Sequence, residues 1–366
     1  MRQGSGWNNS LRSFLKRAAA ALISIYCIYN VYLLALRSTQ SVSGAPSVAQ
    51  EKKKTPLPLP PPPPPTTECI GALPLNADLM DISSHNLMTA LLRWYYYYPY
   101  DPSKDTPDYP LIQNNHANYW RWPQFQQPEI VDLLLKGKTN GFFFEAGAVD
   151  GTEITNTLAL EVYRNWTGLL IEATPDMCPL LQKLNRKATR GCVGISFSDR
   201  IQRFKMAIKS AKEINSYVET DKDSDHRAVS VVDIVAFPLA PMIQAAGVTH
   251  VDYFSLDVEG AEPNILAVFP FDKITVTIFG VEATKEDAKA GVRAAMKGRP
   301  YIEFFYPARG IPWNNLSEDM FFIHKDACKE LGYCLPDGKF NFPPLPGRTN
   351  DDGSHVPGFI PAEVYG

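Results

Sequence analysis

The sequence predicts an α/β domain on a mainly parallel sheet, set behind a membrane anchor and a proline-rich stalk. Three observations carry the prediction. From about Gln113 onward, short apolar runs alternate with helix-period segments, the signature of a parallel sheet with crossover helices. Two of those runs, Phe142-Phe143-Phe144 and Leu169-Leu170-Ile171, end in an acid, and a third, Val251 to Leu256, ends in Asp257-Val258-Glu259-Gly260. The segment 18–36 contains no charged residue.

A length of 366 residues would hold two average domains, but the first hundred or so are too biased in composition to form one compact core. The formal net charge of -3 provides no basic field for a polyanion, which argues against nucleic acid as a partner. Segment 18–36 is long enough, at about 1.5 Å per residue, to cross a hydrocarbon core of about 30 Å. A cleaved signal peptide is the rival reading, but its apolar region usually runs only about 7 to 15 residues. Arg2, Arg12, Lys16 and Arg17 precede the segment and only Arg37 follows closely, so residues 1–17 are expected in the cytosol and the remainder in a lumenal or extracellular space. Within 37–110, the uninterrupted Pro60 to Pro65 favours polyproline II and predicts a stiff stalk. The cluster Trp94-Tyr95-Tyr96-Tyr97-Tyr98-Pro99-Tyr100 is either an exposed aromatic face or packs on the domain it precedes.

The domain is expected over 111–335. Pro128 to Lys136 reads as a helix and Gly141 to Ala146 as the first strand, followed by a helix from Asn156 to Arg164. Thr167 to Glu172 is the second strand, Pro175 to Asn185 a helix, Gly191 to Ile195 the third strand and Ile201 to Ile208 an added strand. Val251 to Leu256 is the fourth core strand, Glu262 to Val268 a helix and Ile274 to Val281 the fifth strand. Lys285 to Met296 reads as a helix and Met320 to His324 as the last strand; the Pro- and Gly-rich tail 336–366 is expected to be irregular.

The first apolar run leads into Glu145-Ala146-Gly147-Ala148-Val149-Asp150-Gly151, a Glu-x-Gly-x-x-x-Gly turn of the kind that brings backbone close to a nucleotide. It lacks the spacings of dinucleotide and phosphate loops, and an acid there suits a ligand with an ammonium group, such as S-adenosylmethionine. Glu172 follows Gly151 by about 20 residues at the next strand end, where a carboxylate can accept hydrogen bonds from both ribose hydroxyls. Asp257 and Glu259 fall at the same sheet edge, either as a general base or cation-holding pair, or as a helix cap and a partner for the cofactor amine. Glu282 completes a ring of acids there.

Asn140-Gly141-Phe142 through Asn156-Thr157-Leu158, Gly168 to Glu172, Val193 to Ser196 with Ser198-Asp199, and Asp257 to Glu262 resemble the FkbM methyltransferase family in order and spacing, over about Gln113 to His324. The anchor, the stalk, Phe237-Pro238-Leu239 and Tyr253 to Asp257 resemble its membrane-anchored, Star-like animal branch. The resemblance implies a class I (Rossmann-like) methyltransferase fold with a seven-stranded sheet. It implies S-adenosylmethionine as cofactor, bordered by Glu145, Gly147, Asp150, Gly151, Glu172 and Asp199, and Asp257 or Glu259 as catalytic, with no metal. An O-methyltransferase would act on a hydroxyl or carboxyl of a small molecule, glycan or lipid. The branch implies instead a single-pass membrane protein of the endoplasmic reticulum, Golgi or endosomes, a non-catalytic escort for secretory cargo, growth-factor precursors moving from endoplasmic reticulum to Golgi. Glu172-Ala173-Thr174-Pro175 and Pro238-Leu239-Ala240 depart from the family's usual Glu-Pro-Asn-Pro and Thr-Leu-Asp.

The six histidines show no metal spacing, and no nucleophile motif is present. Cys178 with Cys192 and Cys328 with Cys334 are the natural local bridges, with free buried thiols as the alternative. Cys69 is then left beside the stalk, where it would link two copies in a disulfide-bonded dimer. Asn165-Trp166-Thr167 and Asn315-Leu316-Ser317 are glycosylation acceptors if the domain is lumenal.

Overall fold

A computed structural model of the chain describes residues 83–104, 127–152, 154–208, 217–218, 230–304, 319–335 and 340. The expected anchor at 18–36, the proline run, Cys69, Asn315 and the tail from 341 lie outside the described residues. Among the described residues, no helix is long and apolar enough to cross a membrane.

The described chain opens with α1 (His85–Leu91), capped by the Ser84 side chain, which passes through a π-helical turn (Leu92–Tyr96) into β1 (Tyr97–Tyr98). Then follow α2 (Gln127–Leu134), β2 (Phe142–Ala146), α3 (Leu158–Arg164), β3 (Thr167–Glu172), α4 (Cys178–Lys183), β4 (Ala188–Cys192), β5 (Gly194–Ile195), β6 (Gln202–Ile208) and β7 (Tyr217–Val218). The second half comprises β8 (Ser230–Phe237), α5 (Leu239–Ala245), β9 (His250–Leu256), α6 (Glu262–Ala267), β10 (Thr275–Glu282), α7 (Glu286–Met296), β11 (Tyr301–Phe304), β12 (Asp319–His324) and α8 (Lys325–Leu331).

The main sheet has the order β1-β4-β3-β2-β9-β10-β12-β11. Its centre is parallel, while β12 runs antiparallel to both β10 and β11. Leaving aside the two-residue β1, the order is third, second, first, fourth, fifth, seventh, sixth: the class I methyltransferase-like α/β arrangement. The eighth strand corrects the expected count of seven. It pairs Tyr97 with Gly191, and a Cβ on Gly191 would lie 2.9 Å from the Tyr97 ring. The aromatic cluster therefore packs on the domain: Tyr97 is buried with its hydroxyl donating to Met242 O at 2.9 Å, and Tyr96 meets Phe237 edge-on at 5.1 Å between centroids.

The expected third strand is split. Its first part belongs to β4 in the main sheet, and Gly194-Ile195 turns away as β5 into a second sheet of order β5-β8-β6-β7, which also takes the added strand, β6. Strand β8, helices α5 and α8, and β11 go beyond the expected elements.

Alternating strand residues serve two cores, as the period of two requires. Phe144, Phe254 and Phe279 point to one face, with Phe144 and Phe254 stacked at 4.4 Å, and pack there with α1, α5 and α6. Phe143, Tyr253 and Ile278 point to the other, against Ile130 of α2 and Leu160 of α3. The local bridges form as paired: Cys178–Cys192 ties α4 to β4, and Cys328–Cys334 closes the end of α8.

Beneath the β2 loop lies a buried ion pair. Arg186 is 0% exposed, and its Nε donates to Glu161 at 2.9 Å. The same guanidinium donates to Gly151 O at 2.9 Å and to the Thr155 and Thr157 hydroxyls at 3.1 Å each. Arg186→Met is expected to cost about 3 to 5 kcal/mol in urea unfolding, because it leaves the Glu161 carboxylate buried without its countercharge. Arg186→Met combined with Glu161→Leu is expected to recover part of that loss.

Candidate functional site

A cavity of about 430 Å³ opens where β3, β2, β9 and β10 end at their carboxyl edge. This is the topological switch point of the sheet, since the chain runs from β2 outward through β3 and β4 and returns on the other side at β9. One wall is apolar and comes largely from the second sheet and the turn that enters it: Ile195, Phe197, Phe204, Met206 and Ile234. The opposite wall carries Asp257, Glu259 and Glu282, and Glu172 lies between them at the end of β3.

The loop after β2 forms the floor. Gly147 has φ +85°, and a Cβ there would come within 1.8 Å of the Asp257 carbonyl oxygen. The glycine is thus required by the approach of two strand ends, which corrects the expectation that it makes room for ligand. Gly147 still lines the cavity through its backbone. Gly151, with φ +82°, lies against Leu181 of α4, where a Cβ would be 2.7 Å from Leu181 Cδ1, and it does not line the cavity. Val149 and Ile154, both β-branched and both lining the cavity, hold left-handed φ values of 51° and 56°, so the loop is strained where it faces the site.

Glu172 is 6% exposed and accepts the Val149 N–H at 2.8 Å and the Thr174 N–H at 2.7 Å. Burial pushes its carboxyl pKa up, and these backbone donors oppose the shift. The Ala173 N–H and the Thr174 hydroxyl also bond to this carboxyl.

Glu145 is placed differently from the expectation. It is 2% exposed and does not line the cavity; its oxygens accept the Asn156 N–H at 2.6 Å and the hydroxyls of Thr155 at 2.8 Å and Thr157 at 2.5 Å. Burial raises its pKa, opposed by the nearby Arg186 charge. With both oxygens turned to the 155–157 segment, Glu145 shapes the loop, and Asn156 is the residue it presents to the cavity. Asp150 accepts the Thr152 N–H at 2.8 Å and hydroxyl at 2.9 Å, closing the turn, and does not line the cavity. Asp199 lies exposed in the turn after β5, whose cavity-lining residue is Phe197.

Asp257 and Glu282 face each other on the acidic wall. Burial first, and the negative charge of Asp319 next, push the Asp257 carboxyl to about 7. Burial first, and the Asp257 charge next, push Glu282 to about 9. Their side chains are hydrogen-bonded to one another, so the pair holds a shared proton near neutral pH and titrates as a unit. Glu259 lines the cavity with φ 59°. The helix that follows has no side-chain cap, so neither Asp257 nor Glu259 takes the capping role; Glu262 at its start accepts the N–H groups of the preceding loop, Val258 at 2.9 Å and Gly260 at 3.2 Å. Among the described residues, no group of three or more His, Cys, Asp or Glu is disposed to hold a metal ion.

Sequence reasoning thus locates Glu172, Gly147, Asp257, Glu259 and Glu282 on the cavity, and misses Asn156 and the apolar wall. Asn156 sits inside a motif already singled out, but its orientation follows from the Glu145 bonds. A stability consequence follows from the acid pair. Its folded pKa values lie above those of unfolded carboxyls, so the folded protein binds the extra proton, and the stabilisation is full below the unfolded values and lost as pH rises through about 7 and 9. The melting temperature is therefore expected to fall from about pH 5 to about pH 9, and the fall to flatten in Asp257→Asn and Glu282→Gln, as read by scanning calorimetry.

No sequence among the curated proteins matches the chain. Among solved structures, precorrin-6y C5,15-methyltransferase from Geobacter metallireducens GS-15 aligns with a TM-score of 0.29 and 10% identity, over 59% of this chain and 96% of that one. The METTL16 MTase domain aligns with a TM-score of 0.31 and 11% identity, over 67% and 81%. A human methyltransferase 10 domain containing protein aligns with a TM-score of 0.29 and 10% identity, over 61% and 85%. At these scores the fold assignment rests on the strand order itself. Residues 145–308, a segment that includes every residue lining the cavity, match the family model of the methyltransferase FkbM domain.

Proposed function

We propose that the chain is an S-adenosylmethionine-dependent methyltransferase that methylates a hydroxyl acceptor. The observation that carries this reading is Glu172 at the end of β3, lining a cavity at the switch point of a class I sheet. The cavity fits the cofactor's chemistry. The Glu172 carboxylate at the end of β3 suits ribose hydroxyls, the wall of Ile195, Phe197 and Ile234 suits a flat base, and the buried Asn156 Oδ1, which has no partner, suits a donor such as an ammonium group. Bound S-adenosylmethionine supplies an electrophilic methyl group. The chain's own part is then to orient the acceptor at the acidic wall, where Asp257 or Glu259 takes the hydroxyl proton, and to exclude water with the second sheet.

Membrane anchoring by 18–36 and a lumenal domain belong to the same proposal. The bridges Cys178–Cys192 and Cys328–Cys334 favour an oxidising compartment. Protease added to intact microsomes is expected to spare the domain and remove only the N-terminal tail; digestion of the domain would reverse the topology.

Calorimetric titration with S-adenosylmethionine tests the cofactor reading. Glu172→Ala is expected to weaken binding roughly ten- to hundredfold, equivalent to about 1.5 to 3 kcal/mol of charge-assisted hydrogen bonding. Because Glu172 also receives the Val149 and Thr174 N–H groups, some thermal stability is expected to go with it. A folded wild-type chain that binds no cofactor at millimolar concentration would sink the enzyme reading and favour the non-catalytic, Star-like escort of secretory cargo.

A further inference from the structure

Four side chains lining the cavity are acids, Glu172, Asp257, Glu259 and Glu282, and among the described residues none lining it is lysine, arginine or histidine. Asn156 adds to this one-sided character. It is 7% exposed, its Nδ2 is directed onto Ser255 Oγ at 2.9 Å, and its Oδ1 is buried without a partner. The charged side chains of the cavity are thus all carboxyls, which suit a ligand that brings donors or positive charge.

Position narrows which charge. Glu172 closes β3, Asp257 follows β9, and β2 lies between them, so the two carboxyls are separated by two strand spacings, on the order of 10 Å. Glu282 is one strand further on. A ribose held at Glu172 with its base against Ile195, Phe197 and Ile234 would carry its 5′ substituent the other way, over the Gly147 floor toward Asp257 and Glu282. Among the described residues, the charges that act on that pair are acidic: Glu259 and Glu262 from the loop and helix after β9, and Asp319 from β12, whose carboxylate takes the Gln127 side-chain N–H at 2.6 Å. The buried Tyr253 hydroxyl provides no positive charge.

We propose that Asp257 and Glu282, sharing one proton, form a subsite that reads the positive charge of a sulfonium centre and so prefers the cationic cofactor to its neutral thioether product. The inference rests on the methyltransferase reading. With the cation beside it, the pair gives its shared proton to solvent and both carboxylates face the sulfonium; with the thioether in place, the proton returns from solvent and the product is held less tightly. No bond to the ligand forms or breaks in this exchange.

The test is calorimetry on the full-length chain in detergent at about pH 8, between the two pKa values, in two buffers of different ionisation enthalpy. S-adenosylmethionine and S-adenosylhomocysteine are the probes. Wild type is expected to release close to one proton on binding the sulfonium compound and almost none on binding the thioether, and to prefer the former by about tenfold or more. In Asp257→Asn with Glu282→Gln, the differential proton release is expected to vanish and the preference to shrink to about threefold or less. The wild-type measurement decides the matter even if the variant fails to fold. Equal proton exchange and equal affinity for the two probes would overturn the subsite while leaving the cofactor reading intact. Absence of binding by either probe would remove both.

Discussion

At the ends of β2 and β9 the backbone closes to a separation that no side chain tolerates. A Cβ on Gly147 would lie 1.8 Å from the Asp257 carbonyl oxygen, and the Asp257 N–H donates back to Ala146 O at 3.1 Å. The contact sits at the switch point of the sheet, so the crevice that topology opens there is closed from below by main chain. It sets the height at which Asp257 leaves β9 and directs the β2 loop toward β3, where the N–H groups of Gly147 and Ala148 both reach Ile171 O at 3.0 Å. The floor of the cavity and its acidic wall therefore share one backbone constraint.

The loop that starts at Gly147 is held from beneath by buried charge. Glu145 accepts from Thr155, Asn156 and Thr157, and Arg186 reaches the same two threonines, Gly151 O and Glu161. A buried ionic cluster of this kind adds little net stability over an apolar one but penalises every arrangement in which a member loses its partner. Here it penalises any other path for residues 147–157, and that path includes left-handed backbone at Val149 and Ile154. The strained residues face the cavity and the charged ones support it, so rigidity at the site derives from groups that no ligand touches.

Much of this was legible in the sequence because strand ends are local events. An apolar run followed by an acid predicts both a strand and its edge, and β3 has the expected bounds, Thr167 to Glu172. What a strand pattern does not reveal is how an acid at its end is bonded. Glu145 and Glu172 look alike in sequence, yet three donors from 155–157 keep one beneath the loop, while backbone N–H groups of Val149, Ala173 and Thr174 hold the other on the cavity wall. The second sheet was less legible for a different reason. Its parallel pairing of Gly194-Ile195 with Ala236-Phe237 joins segments about forty residues apart, and β8 is exposed along its first half, so no continuous apolar run announces it.

That least legible element shapes the electrostatics of the most legible one. Carboxyls crowded at a sheet edge ionise freely in water, because solvent screens them from one another. For Asp257 and Glu282 the largest cause of the raised pKa is burial, ahead of the neighbouring negative charges. The apolar side chains of Ile195, Phe204, Met206 and Ile234 line the same cavity and keep one side of it free of competing polar groups. In such surroundings a unit charge is felt several times more strongly than in water, whether it is a like charge that retains a proton or an opposite charge that displaces one. An acidic wall facing an apolar sheet is therefore a different chemical object from the same acids on an open edge, and the inserted strands between β4 and β9 make that difference.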